Sequence, residues 1–133
     1  IQIPSISHFG IMSSSSSWSS LKEKFRTDKR CEESSCRDRS SAEPDDDEVE
    51  PPDRAEIGRA AWRYLHSLAA QFPTAPRKSE AKEAQDWLAA FIQTYPCSHC
   101  ATHFVDVCEA MPPRTESRKS YSVWCCEAHN QVN

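Results

Sequence analysis

Apolar residues recur at helical spacing through the second part of the chain. They fall at Ile57, Ala61, Tyr64, Leu65, Leu68 and Phe72, then at Ala84, Trp87, Leu88, Phe91, Ile92 and Tyr95. Both sets follow the i, i+3, i+4, i+7 pattern of an amphipathic helix. Asp53 with Glu56 three residues later forms a capping box that starts the first helix, and Pro73 and Pro76 end it. Ser79 is the expected cap of the second helix, which Pro96 breaks. A third helix is expected from Cys97–Cys100 through Phe104 and Val107 to Met111, before Pro112-Pro113. A fourth starts near Thr115 to Ser117 and continues through Tyr121, Trp124, Ala128 and Val132. Four such helices joined by short proline-marked turns predict an all-α fold, a four-helix bundle over residues 53–133. A core of about 80 residues is small, so a cofactor, a disulfide or a second subunit is expected to help hold it.

Residues 1–52 have no such periodicity. Ser13 to Ser17 is low complexity, and residues 41–52 hold six acids, no base and three prolines. A segment of that kind cannot bury enough apolar surface to offset its chain entropy. The first 52 residues therefore read as a disordered arm, with transient helicity around Leu21 to Arg30.

Charge and composition narrow the function. Residues 1–52 carry 7 basic and 11 acidic side chains, while residues 53–133 carry nine of each. Neither part has the basic excess of a nucleic-acid binder. Two glycines argue against glycine-loop nucleotide folds, and no apolar run approaches the ~20 residues that span a bilayer. Seven cysteines in 133 residues imply disulfide, metal or thiol chemistry.

Three constellations carry that chemistry. The first is Tyr95-Pro96-Cys97-Ser98-His99-Cys100. Proline places Cys97 near the start of the next helix, where unpaired N–H groups and the helix dipole stabilise a thiolate. A CxxC pair there suits an exchangeable disulfide equally with half of a zinc site. The second is the stripe Cys126, His129, Asn130 and Asn133, spaced i, i+3, i+4 and i+7, which presents hydrogen-bonding edges to a ligand or to solvent. The third is Gly58-Arg59 with Trp62 and His66 one turn apart, a face for a flat ring or a core tryptophan beside a satisfied histidine. Cys97, Cys100, Cys126 and His129 also have Cys3His spacing, so a zinc-stabilised helical binding module without catalysis is the rival reading. Against it, the ligands fall on separate long helices. Cys108 reads as a small buried hydrophobe.

Together, PPDRAEIGRAAWRYLHSLAAQFP, YPCSHC and WCCEAHNQVN, in that order, resemble the Erv/ALR family of FAD-linked sulfhydryl oxidases from Pro51 to Asn133. The resemblance implies a helix bundle that holds FAD at its mouth, usually as a homodimer. It implies that Cys97 and Cys100 are the catalytic disulfide, with Cys97 attacked by substrate and Cys100 next to the flavin. It implies FAD contacts from Gly58, Arg59, Trp62 and His66, and from Cys126, His129, Asn130 and Asn133. Reduced protein thiols or an upstream thiol oxidoreductase would be the electron donors, and oxygen or cytochrome c the acceptor. Cys31 and Cys36 in the arm are a candidate shuttle pair, spaced CxxxxC where the family often has CxxC. Among the family's compartments, the arm-borne cysteines and the lack of a compact apolar signal core point to the mitochondrial intermembrane space rather than the secretory pathway.

The resemblance also implies a C-terminal truncation. The family continues past the position of Asn133 with a basic segment that helps bind the FAD phosphates and a cysteine that pairs with the one at position 126. The expectation is a chain that binds FAD weakly, and an inactive truncated isoform is a third reading. Cys125 is an added thiol where the family has an apolar residue.

Overall fold

A computed structural model describes residues 18–26 and 51–132 of the chain. Among the described residues there are five helices and no strand: α1 (Trp18–Arg26), α2 (Arg54–Gln71), α3 (Lys78–Thr94), α4 (Ser98–Ala110) and α5 (Arg118–Val132). Helices α2 to α5 form the expected bundle, with α2 on α5 and α4 against both α3 and α5.

The start of α2 follows directly from sequence. The Asp53 carboxylate accepts from the Glu56 amide at 2.8 Å, and Glu56 accepts from the Asp53 amide at 2.9 Å. Two of the four orphan N–H groups of the helix are thereby satisfied. The start of α3 differs from the expected Ser79 cap. The helix begins two residues earlier, with Arg77 as N-cap and its backbone N–H donating to Glu80 at 2.7 Å. The reason is local: an acid stands three residues after Arg77, whereas Lys82 stands three residues after Ser79. At α5, the Ser117 hydroxyl accepts from the Ser120 amide at 3.1 Å, within the expected start region. Thr115 is instead buried, accepting from Gln85 of α3 at 2.9 Å.

The core draws on every helix. Leu65 and Ala69 of α2 meet Leu88 and Ile92 of α3, Ala101, Val105 and Cys108 of α4, and Tyr121, Trp124, Cys125 and Ala128 of α5. Each fully buried Leu, Ile or Val contributes roughly 1.5–3 kcal/mol. Trp124 is wholly buried, and its indole N–H donates to the Met111 carbonyl at 2.8 Å, which fixes the α4–α5 turn.

Residues 18–26 lie within the segment expected to be disordered, and there the structure differs. They form α1, which packs along α4 with Leu21 and Phe25 buried. Trp18, Leu21 and Phe25 are spaced i, i+3, i+7 and give a single apolar stripe. Nine residues are too few for a stable isolated helix in water, so the helix depends on the surface of α4 that receives it. Residues 1–17 and 27–50 of the arm, with Cys31 and Cys36 among them, lie outside the described residues.

Candidate active site

The loop Tyr95-Pro96-Cys97 turns the chain from α3 into α4 and places Cys97 at the N-cap. Its sulfur accepts from the Cys100 amide at 3.2 Å. Cys97 and Cys100 are bonded to each other, with Cα atoms 5.3 Å apart. The two sulfurs differ in surroundings. Cys97 is buried, only 1 % exposed, whereas Cys100 is half-buried and faces a cavity of about 1090 Å³.

That cavity opens between four helices. Gly58, Arg59, Trp62 and His66 line it from α2, and His129 and Val132 from α5. Phe91 comes from α3 and Tyr95 from the turn after it; His99, Cys100, His103 and Phe104 come from α4. Trp62 is central to the wall. It stacks on His129 at 4.2 Å between centroids, with 13° between the planes, and meets Phe104 edge-on at 5.5 Å. His66 Nε2 lies 3.1 Å from His129 Nδ1. Burial and the neighbouring His66 hold His129 below its ordinary pKa.

The lining is electrostatically one-sided. It holds Arg54, Arg59 and Arg63 and four histidines, and no Asp or Glu. Aromatic walls with a positive rim suit a flat, anionic ligand. The volume stands at the top of the ~300–1,000 Å³ range of ligand pockets, room for a dinucleotide rather than a fragment. Gly58 contributes to that room: a Cβ added there would meet nothing within 4 Å.

Five of the expected ligand-contacting positions are thus brought to one cavity beside Cys100: Gly58, Arg59, Trp62, His66 and His129. Cys126 and Asn130 are exposed on α5 and do not line it, and Asn133 lies outside the described residues. Sequence reading missed Phe91, Tyr95, His99, His103 and Phe104 as lining. A signal was present for three of them, since Tyr95 and His99 belong to the CxxC stretch and His103 is one turn from His99. Among the described residues no three His, Cys, Asp or Glu side chains gather to hold a metal ion, and two of the three cysteines of the Cys3His candidate, Cys97 and Cys100, are bonded to each other.

Comparison with known proteins decides the family. The Erv1 / Alr family model matches residues 59–133. The chain belongs to the Erv1/Alr family. Family members similar to it include the FAD-linked sulfhydryl oxidase ERV1 of Oryza sativa, 40 % identical over 66 % of this chain and 45 % of the relative. The mitochondrial FAD-linked sulfhydryl oxidase ERV1 of Saccharomyces cerevisiae is 41 % identical over 64 % of this chain and 45 % of its own length. The chain thus spans about half the length of these curated relatives. Among solved structures, the yeast Erv1 core superposes with a TM-score of 0.62 at 38 % identity, covering 71 % of this chain and 81 % of that one. The FAD binding domain of Saccharomyces cerevisiae Erv1 gives a TM-score of 0.56 at 40 % identity, covering 58 % of this chain and 73 % of that one.

Proposed function

We propose that this protein is an FAD-dependent thiol oxidase that makes disulfides in protein substrates through Cys97 and Cys100. One observation carries the reading: a disulfide capped onto a helix N-terminus has one sulfur, Cys100, at an aromatic, arginine-rimmed cavity of dinucleotide size. FAD fits the residues present, with Trp62 and His129 offering ring faces, Arg59 a cationic partner for phosphate, and Gly58 clearance for close approach. When bound, FAD supplies a two-electron acceptor that passes electrons on to oxygen or a cytochrome.

The protein's own part is thiol–disulfide exchange. An incoming thiolate attacks Cys97 Sγ, the Cys97–Cys100 bond breaks, and Cys100 leaves as a thiolate facing the cavity. The N-terminus of α4 stabilises negative charge at both positions. Because Cys97 is buried, the attack needs a local opening of the α3–α4 turn. A second thiol of the substrate then attacks the mixed disulfide and restores the Cys97 thiolate.

Reduced protein thiols or an upstream thiol oxidoreductase are the donors in this reading, with Cys31 and Cys36 as the relay pair and the mitochondrial intermembrane space as compartment. The names of the yeast relatives include mitochondrial ones, which supports that compartment. A homodimer accords with the row Tyr64, Trp87 and Phe91, stepped at 5.6 and 5.3 Å, in which Tyr64 is 53 % exposed. Cys126, Asn130 and Asn133 belong to the proposal as contacts at the outer end of the cofactor, beyond the cavity itself.

The test is a visible absorption spectrum with zinc assayed on the same sample. A flavin spectrum that bleaches on adding dithiothreitol and recovers in air supports the oxidase. A colourless protein with one zinc per chain overturns it.

A further inference from the structure

The start of α4 carries one more metal-binding side chain than the disulfide accounts for. His103 lies three residues after Cys100 on that helix, and both line the same cavity. Residues three apart on a helix have Cβ atoms about 5–6 Å apart, so the imidazole is within reach of the Cys100 sulfur. Cys97 Sγ is bonded to Cys100 Sγ and so shares that position. His103 is exposed, and among the described residues it has no hydrogen-bond or ion-pair partner. The Cys97 sulfur accepts the Cys100 backbone N–H at 3.2 Å, an outer contact that supports a metal-bound thiolate as well as a leaving one. While the disulfide is closed, no three donors gather among the described residues. Reduction frees two sulfurs at once beside His103. This set is separate from Cys126 and His129, since the His129 ring is engaged by Trp62 and His66.

We propose that reduction of the Cys97–Cys100 disulfide creates a zinc site. Its protein ligands are Cys97 Sγ, Cys100 Sγ and a ring nitrogen of His103, and water from the open cavity takes the fourth position. The donors select the metal: two thiolates and an imidazole in a four-coordinate set suit zinc and exclude hard cations such as magnesium and calcium. The inference rests on the oxidase reading only in that this reading passes through the reduced pair in every cycle. The balance is simple. A substrate dithiol opens the disulfide by exchange, and the two thiols then release two protons as they bind Zn²⁺, with no electron moved. Zinc-bound sulfurs no longer close on each other, so the cycle stops until the metal leaves. Free zinc thereby becomes a reversible inhibitor of the reduced protein, whereas the oxidised protein is indifferent to it.

The probe is Zn²⁺ alone, added without flavin to the full chain carrying Cys31→Ser, Cys36→Ser and Cys126→Ser. Of the remaining thiols, Cys108 and Cys125 are buried in the core. The chain reduced with a phosphine is compared with the oxidised chain, in competition with a chromophoric chelator. The reduced chain should bind one zinc and the oxidised chain none. His103→Asn should weaken binding by about a hundredfold or more, because losing even an outer partner of a metal ligand costs about 10–100-fold. Far-UV circular dichroism checks that this exposed substitution leaves the helices intact; if it does not, the redox dependence still decides. Zinc should also slow re-formation of the disulfide by glutathione disulfide, a reaction in which the dithiol loses two electrons and two protons and two glutathiones form. EDTA should restore the rate. A reduced chain that binds no zinc, an oxidised chain that binds it equally, or a folded His103→Asn chain of undiminished affinity overturns the proposal. Flavin bleaching by dithiothreitol with recovery in air reads the oxidase separately. Its absence defeats that reading and leaves the zinc result standing, whereas a failure to bind zinc leaves the oxidase untouched.

Discussion

His66 on α2 and His129 on α5 meet through ring nitrogens 3.1 Å apart, Nε2 to Nδ1, in the wall of the cavity. That contact holds one proton: one ring donates and the other accepts. A proton added to the accepting His129 nitrogen would set two N–H groups against each other, beside Arg59 and Arg63, which also line the cavity. Burial and His66 already hold the His129 pKa below 6.5. A base whose pKa is depressed on folding is protonated more readily when unfolded, so its contribution is complete above about pH 6.5 and is lost as pH falls below it.

The melting temperature of the protein should therefore decline between about pH 7 and about pH 5.5. His129→Gln should flatten that decline. An equal slope in the variant would place the acid sensitivity elsewhere.

Cys100→Ser should abolish dithiothreitol oxidation and leave flavin binding largely intact, since the serine keeps the cavity wall and removes the redox-active sulfur. Bound flavin read by its visible spectrum, alongside oxygen consumption, separates the two effects. Loss of flavin from this variant would mean that Cys100 is a structural part of the site instead.

Gly58→Ala sets folding against binding. Glycine within a helix costs roughly 0.8–1.0 kcal/mol relative to alanine, and no atom within 4 Å opposes the new methyl group. The variant should melt higher and bind flavin more weakly, because the methyl group occupies cavity space. Thermal denaturation of the apoprotein and a flavin titration check the two halves.

Among the described residues, the free cysteines should divide by burial. Cys108 and Cys125 are fully buried, and desolvation pushes both thiols up to about 12, helped at Cys125 by Cys126. Cys125 also donates toward the Leu65 carbonyl at 4.0 Å. Cys126, one residue along, is exposed. Iodoacetamide on the native protein should label Cys126 within minutes and reach Cys108 and Cys125 only after denaturation, read by peptide mass spectrometry.

Trp124→Ala should destabilise the bundle by roughly 3–5 kcal/mol, the cost of emptying a large buried site. It also strands the Met111 carbonyl that the indole satisfies. Chemical denaturation measures the loss. A cost under about 1 kcal/mol would show that the core can collapse around the gap.

Local order determined much of this protein. The capping box at Asp53 and Glu56, the helix break at Pro96 and the apolar periodicity of α2 to α5 are short-range patterns, and they are visible in the chain because each acts within one or two turns. The placement of Cys97 at a helix N-terminus is of the same kind. Tertiary structure decided the rest. Nine residues around Leu21 and Phe25 carry too little local stability to declare a helix, and it took the surface of α4, some 80 residues along the chain, to supply it. The stripe Cys126, His129 and Asn130 is one face by spacing, yet only His129 turns into the cavity, because the rotation of α5 is set by Tyr121, Trp124, Cys125 and Ala128 packing inward. Spacing places residues on a helix; which way that helix faces is settled by the volumes it must bury.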